Sequence, residues 1–108
     1  MPFLCRREEI AEWGKEIASG TVPLFVIRRG SDVYAYVNDC PHTGASLNWG
    51  RDQFLSPDGG LIQCSFHGAL FRIEDGLCVW GPCFGQRLRS VGVTVRDGAV
   101  MQSGSPEQ

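Results

Sequence analysis

The chain has 108 residues, 43 % hydrophobic and 20 % charged, which suits one globular domain with a modest core and leaves too little chain for a second. A formal charge of -2 and a pI near 5.6 exclude a general attraction to nucleic acid, whose binding proteins cluster positive charge to displace counterions. No apolar run approaches a membrane span, and the charges of residues 1–7 follow the apolar residues rather than precede them as in a secretory signal, so a cytoplasmic protein is expected.

Residues 8–18 place Ile10, Trp13 or Gly14, and Ile17 at helical spacing among Glu8, Glu9, Glu12, Lys15 and Glu16, which predicts a short helix or helical turns ending at Gly20. Residues 22–29 and 33–38 are rich in β-branched and aromatic side chains and are joined by Gly30, Ser31 and Asp32, a hairpin that delivers the chain to Asp39 and Cys40. An irregular stretch follows, with Leu47, Trp49, Phe54 and Leu55 as packing positions and a turn over residues 56–60. Residues 61–63 then lead into Cys64 and residues 70–73 lead away from His67, so a second hairpin is expected. Glu74, Asp75 and Gly76 turn the chain into residues 77–80. Beyond Gly81 and Pro82, the alternation of Leu88, Val91, Val93 and Val95, the turn Arg96-Asp97-Gly98 and residues 99–101 predict a closing hairpin, and residues 103–108 a frayed polar tail.

The chemistry lies between the first two hairpins. Cys40, Pro41 and His42 spell C-P-H; after 21 intervening residues, Cys64 to His67 spell C-S-F-H. The chain's only two histidines each fall a short step after a cysteine, so each loop can offer one thiolate and one imidazole. Two inorganic centres could use such a set. A 2Fe-2S cluster can take two cysteines on one iron and two histidines on the other, whereas a structural zinc is tetrahedral and closed and usually draws two thiolates from one C-x-x-C turn. One ligand of each kind per loop favours the two-iron centre over zinc. Cys5, Cys78 and Cys83 are left over; five cysteines make an odd count for a disulfide scaffold, and these three are expected to be small, reduced packing residues, Cys83 lying near the centre without an assigned role. The adjacent pairs Glu8-Glu9 and Glu74-Asp75 read as solvated charges, and no glycine-rich phosphate or dinucleotide fingerprint is present.

The segments C-P-H-T-G-A (Cys40 to Ala45) and C-S-F-H-G-A-L-F (Cys64 to Phe71) resemble the two cluster-binding loops of Rieske-type ferredoxins. The resemblance continues through Gly76, Gly81-Pro82 and Leu88 to the last strands, about residues 22–102. It implies an all-β fold, a small antiparallel sandwich or barrel with one 2Fe-2S cluster at the tip, beneath two ligand loops and a third, proline-bearing loop. Cys40 and Cys64 would ligate the buried iron, and His42 and His67 the outer one. Gly44 and Gly68 match the glycines that let backbone wrap the cluster. Members of the family often open with a strand and a turn, so the resemblance is thinnest over residues 8–20.

The function implied is one-electron transfer from a reductase to a terminal oxygenase, with no catalysis of its own: both histidines serve the cluster, leaving none for the mononuclear iron of Rieske oxygenases. A small electron-transfer subunit of a permanent complex and a structural zinc module are the alternatives. Pro41, Phe66, Pro82 and Phe84 would form an apolar rim suited to brief docking. Where high-potential relatives carry an inter-loop disulfide, this chain has Ala45 and Phe66. Where those relatives carry a serine and a tyrosine with hydroxyls on sulfur, it has Ala69 and Phe71, so the resemblance implies a potential low in the Rieske range of about -150 to +300 mV.

Overall fold

Leu24, Phe25, Val26 and Ile27 are all buried, an unbroken apolar run where a strand with one wet face would alternate. Such a run belongs to a strand covered on both sides. The computed structural model describes residues 3–10, 14–17, 23–30, 32–38, 54–56, 59–64, 68–81 and 84–104. Its strands are β1 (Phe3–Arg6), β2 (Lys15–Ile17), β3 (Leu24–Arg29), β4 (Asp32–Val37), β5 (Ile62–Gln63), β6 (Leu70–Phe71), β7 (Cys78–Trp80), β8 (Ser90–Val91), β9 (Val93–Arg96) and β10 (Ala99–Gln102). They form three sheets, ordered β1-β10-β9, β2-β3-β4-β8 and β5-β6-β7, and every strand pairing is antiparallel. Among the described residues no α-helix occurs, so no helix there is long and apolar enough to cross a membrane.

The sheet containing β3 is the middle layer. Alternation along β3 and β4 sends Phe25, Ile27 and Tyr36 to one side, where they pack with Phe54, Ile62, Cys64, Phe71 and Ile73. Leu24, Val26, Ala35 and Val37 face the other side, against Cys5 and Val100 of the β1-β10-β9 sheet. Two cores therefore back onto one sheet, and the expected all-β sandwich is present with the β5-β6-β7 sheet on one flank.

The three expected hairpins are all found. In the first, β3 and β4 run in register from Leu24 opposite Val37 to Arg29 opposite Asp32. In the last, β9 and β10 turn at Asp97 and Gly98, both at positive φ (52° and 79°), the twist that a two-residue hairpin link prefers. Ser103 still donates its N–H to the Gly92 carbonyl at 2.8 Å; residues 105–108 lie outside the described set.

The helix expected over residues 8–18 is not found among the described residues of that stretch, 8–10 and 14–17. Arg7–Glu9 is a single 3-10 turn, closed by the Ile10 N–H on the Arg7 carbonyl at 3.1 Å, and Lys15–Ile17 is a strand paired with Leu24–Val26. Ile10 and Ile17 are both buried in the same core, one from a turn and one from a strand, which is why their spacing imitates a helical stripe. Gly14 rules the helix out. It sits at φ 106°, and a Cβ there would come within 2.8 Å of Ile27 Cδ1 and 3.0 Å of Phe54 Cδ2. So short a helix would be marginal by itself, whereas pairing with β3 supplies both backbone partners and burial.

Candidate metal centre

The second hairpin is rooted on both sides before it reaches the ligand loop. On the β5 side, the Gln63 N–H donates to the Phe54 carbonyl at 2.9 Å, and the Ser56 N–H to that of Leu61 at 2.8 Å, while the Ser56 hydroxyl accepts from the Leu61 N–H at 3.2 Å. Phe54 itself stacks on Phe25 of the middle sheet, with ring centroids 4.5 Å apart and planes 6° from parallel. On the β6 side, the turn after Phe71 is held by the Gly76 N–H on the Arg72 carbonyl at 2.8 Å and the Leu77 N–H on Asp75 Oδ1 at 3.0 Å. The buried Tyr36 hydroxyl donates to the Ile73 carbonyl and ties that turn to the middle sheet. The Arg72–Asp75 ion pair across it, at 2.9 Å, is half in solvent and adds little.

From this base the ladder runs Ile62 opposite Phe71 and Gln63 opposite Leu70, and one further bond, Cys64 N–H to the Ala69 carbonyl at 2.8 Å, closes the loop mouth. Strand alternation turns Ile62 and Cys64 inward with Ala69 and Phe71 and leaves Gln63 and Leu70 on the outer row, while a register shift in the β6–β7 pairing sets Cys78 opposite Phe71 on the inner row and Trp80 opposite Leu70 on the outer one. Cys64 is 0 % exposed. Gly68 takes φ 69°, in keeping with the glycine expected where the loop returns.

Of the four expected ligands, Cys64 is described, while Cys40, His42 and His67 lie outside the described residues, together with Pro41, Gly44, Ala45, Trp49, Phe66, Pro82 and Cys83. Among the described residues no three His, Cys, Asp or Glu side chains converge to hold a metal, so Cys64 needs partners from those loops. What is described fits a sulfur-bridged centre. The thiol is fully buried and in no disulfide, its loop is closed by the backbone, and the adjoining Ala69 and Phe71 line the same core without hydroxyl groups. Beside it, Gln63 Oε1 is buried and has no hydrogen-bond partner among the described residues.

The remaining described cysteines match their expected packing role. Cys5 and Cys78 are buried and in no disulfide. Burial pushes the Cys5 thiol up, Glu9 adding to the effect and Lys15 opposing it, and Cys78 Sγ–H donates to the Trp80 carbonyl at 3.2 Å.

Two aromatic side chains in this part of the chain are exposed, Phe84 at 72 % and Trp80 at 60 %. Phe84 was expected in the apolar rim; Trp80 was not. A Cβ at Gly68 would lie 3.9 Å from Trp80 Cζ3 and 3.7 Å from Gln63 Nε2, which puts the indole next to the residue following His67. Residues two apart share a face in a regular strand, so alternation alone would turn Trp80 inward with Cys78; the register shift in the β6–β7 pairing sends it out, and no local signal in the sequence marked it.

Comparison with known proteins points the same way. A family model described as Rieske [2Fe-2S] domain matches residues 2–97. Ferredoxin CarAc of Metapseudomonas resinovorans is 36 % identical over 85 residues, which cover 79 % of this chain and 74 % of that protein. The structure of a complex of reduced oxygenase and oxidized ferredoxin in carbazole 1,9a-dioxygenase contains a chain similar to this one, with a TM-score of 0.78, 30 % identity and coverage of 98 % of this chain and 94 % of that one. The ferredoxin of carbazole 1,9a-dioxygenase from Nocardioides aromaticivorans IC177 superposes with a TM-score of 0.79 over 95 % of this chain and 96 % of its own, at 21 % identity, a likeness of fold.

Proposed function

The chain belongs to the Rieske [2Fe-2S] domain family, and from that premise we propose that it carries single electrons from a reductase to the terminal oxygenase of a multicomponent system. The 2Fe-2S cluster of such a domain supplies one-electron redox chemistry. In this reading Cys40 and Cys64 hold the buried iron and His42 and His67 the outer one, and the chain acts as an electron-transfer component rather than as an enzyme. The observation that carries it is Cys64: a fully buried thiol at the mouth of a backbone-closed loop, within the C-S-F-H segment, on a chain whose family match spans nearly its whole length.

The protein's own contribution is placement. The hairpin bonds fix Cys64 from both flanks, the apolar walls of Ala69 and Phe71 exclude water on the inner side, and the exposed Trp80 offers apolar surface beside Gly68, the residue that follows His67. A contact of that size suits a partner that docks and leaves. The similar ferredoxin solved with its oxygenase supports an oxygenase as acceptor. A single domain over residues 1–108, acting in the cytoplasm with its thiols reduced, completes the proposal.

Purified protein should be red-brown, with two iron and two acid-labile sulfide per chain and a Rieske-type paramagnetic signal on reduction. It should also restore turnover to a ring-hydroxylating oxygenase supplied only with a reductase. Stoichiometric zinc without sulfide would sink the cluster assignment; a loaded cluster that no oxygenase oxidises would sink the partner assignment alone.

A further inference from the structure

The hairpin of β9 and β10 leaves one side of β9 open. The Ser103 N–H donates to the Gly92 carbonyl at 2.8 Å and Met101 lies opposite Thr94, so Gly92, Thr94 and Arg96 direct their backbone groups at β10. Val93 and Val95, one residue out of step, direct theirs away from it. β9 is the outer strand of its sheet, and among the described residues no backbone group meets those of Val93 and Val95 on that side. Proteins commonly guard such an edge with charge, a bulge or proline. β1, at the other side of the same sheet, is interrupted by a register shift between Phe3 and Cys5, and β2, outermost in the middle sheet, carries Lys15 and Glu16. Val93-Thr94-Val95 has none of these defences.

We propose that β9 pairs with β9 of a second copy of this chain, antiparallel about a two-fold axis at Thr94. In that register the edge is complementary to itself. Val93 faces Val95 of the second copy and Val95 faces its Val93, so every N–H and C=O on both open edges is engaged and four hydrogen bonds form. On the side turned to the core the facing side chains are β-branched and already half-buried; on the other side Thr94 meets Thr94. Arg96 faces Gly92 of the second copy rather than another cation. Ser103 Oγ stands 3.2 Å from where a Cβ on Gly92 would lie, which offers that guanidinium an acceptor. The cross-strand row of Phe3, Met101 and Thr94 then continues over the axis, and two three-stranded sheets become one of six.

An isologous contact of this kind closes at two copies. Four strand residues from each chain bury less than the roughly 1,200 Å² at which stable interfaces begin, so the dimer forms and dissolves with concentration. The ligand hairpin packs on the opposite side of the middle sheet, in a separate core, so pairing through β9 leaves the hairpin of each copy uncovered.

The test is sedimentation equilibrium of the full chain over a range of concentrations. The wild type should pass from one chain to two, with a midpoint between about 10 µM and 1 mM, and should not grow further. Thr94→Lys sets two cations face to face on the axis and Thr94→Glu two anions. Each should weaken association about tenfold while the melting temperature of the dilute protein stays unchanged, and an equimolar mixture of the two should regain wild-type association. Gly92→Arg, opposite Arg96 of the second copy, should weaken it likewise, and it decides if neither Thr94 variant folds: undiminished association there overturns the proposal. A wild type that stays single up to about 1 mM overturns it, as does a dimer indifferent to Thr94→Lys or a mixture no better than its parts. A single-chain wild type whose electron transfer to an oxygenase is slowed by Thr94→Lys overturns it too and assigns the edge to the redox partner.

Discussion

Phe71→Tyr adds one hydroxyl to a ring that is 0 % exposed, on the inward face of the ligand hairpin, opposite Ile62 and Cys78 and in the same core as Cys64. No solvent reaches that position, so the hydroxyl has two fates. If it donates to a cluster or ligand sulfur it favours the reduced state by one net hydrogen bond, about 0.5–1.5 kcal/mol, which for a one-electron couple at 59 mV per tenfold is a rise of about 20–65 mV. If it finds no acceptor it is a buried orphan costing about 1–3 kcal/mol, seen as a fall in melting temperature of roughly 4–8 °C per kcal/mol with no change of potential. Voltammetry and a thermal melt on the same loaded protein separate the two. We expect the first, with Ala69→Ser acting in the same direction and the double variant rising further. A lowered melt at constant potential would refute the argument that missing hydroxyls hold this centre at low potential, and so would a wild-type value near the upper end of the range, about +300 mV.

Tyr36→Phe removes the hydroxyl that ties the turn after β6 to the middle sheet and leaves the Ile73 carbonyl buried without that donor. A loss of about 1–3 kcal/mol is expected in urea unfolding with an unchanged m-value, and a wild-type midpoint would show that the tie is dispensable. The Cys5 thiol is pushed above its ordinary value of 9.0, chiefly by burial, so folding favours its neutral form. That contribution is complete below about pH 9 and is lost as pH rises through the raised folded value, so Cys5→Ala should flatten the alkaline limb of the stability curve; an unchanged slope would contradict this. Cys64→Ser and His67→Ala should lose the visible colour, whereas Cys78→Ser, whose hydroxyl can keep the bond to the Trp80 carbonyl, should retain it. The reverse pattern would overturn the ligand assignment.

The hairpins were legible because their signals are local. Residues 33–37 alternate and follow a glycine-bearing link, and Arg96-Asp97-Gly98 supplies the two positive-φ positions that a tight turn requires. The second ligand hairpin was legible for the same reason, and with it the place of Cys64, since a cysteine one residue beyond an alternating pair must turn the same way as Ile62. Residues 8–18 misled because nothing local distinguishes a helical stripe from two isoleucines reaching one core by different routes. The deciding fact was the pairing of Lys15–Ile17 with Leu24–Val26, together with a pocket at Gly14 that admits no side chain. β1 went unseen because Phe-Leu-Cys-Arg is too short to announce a strand and its partner lies at the far end of the chain.

The pairing of β1 with β10 bears on the order in which the fold is assembled and taken apart. Joining Phe3–Arg6 to Ala99–Gln102 encloses a loop of about 95 residues, an entropic cost of about 4 kcal/mol, and among β1's own side chains only Cys5 is buried deeply in return. β1 thus docks after almost everything else, and its amide protons should be among the first to exchange with solvent. The ligand hairpin lies across the middle sheet from that seam, with a separate core. Peeling of the first strand would then leave the second ligand loop closed, so the oxidisable part of the molecule is insulated from its most readily opened part.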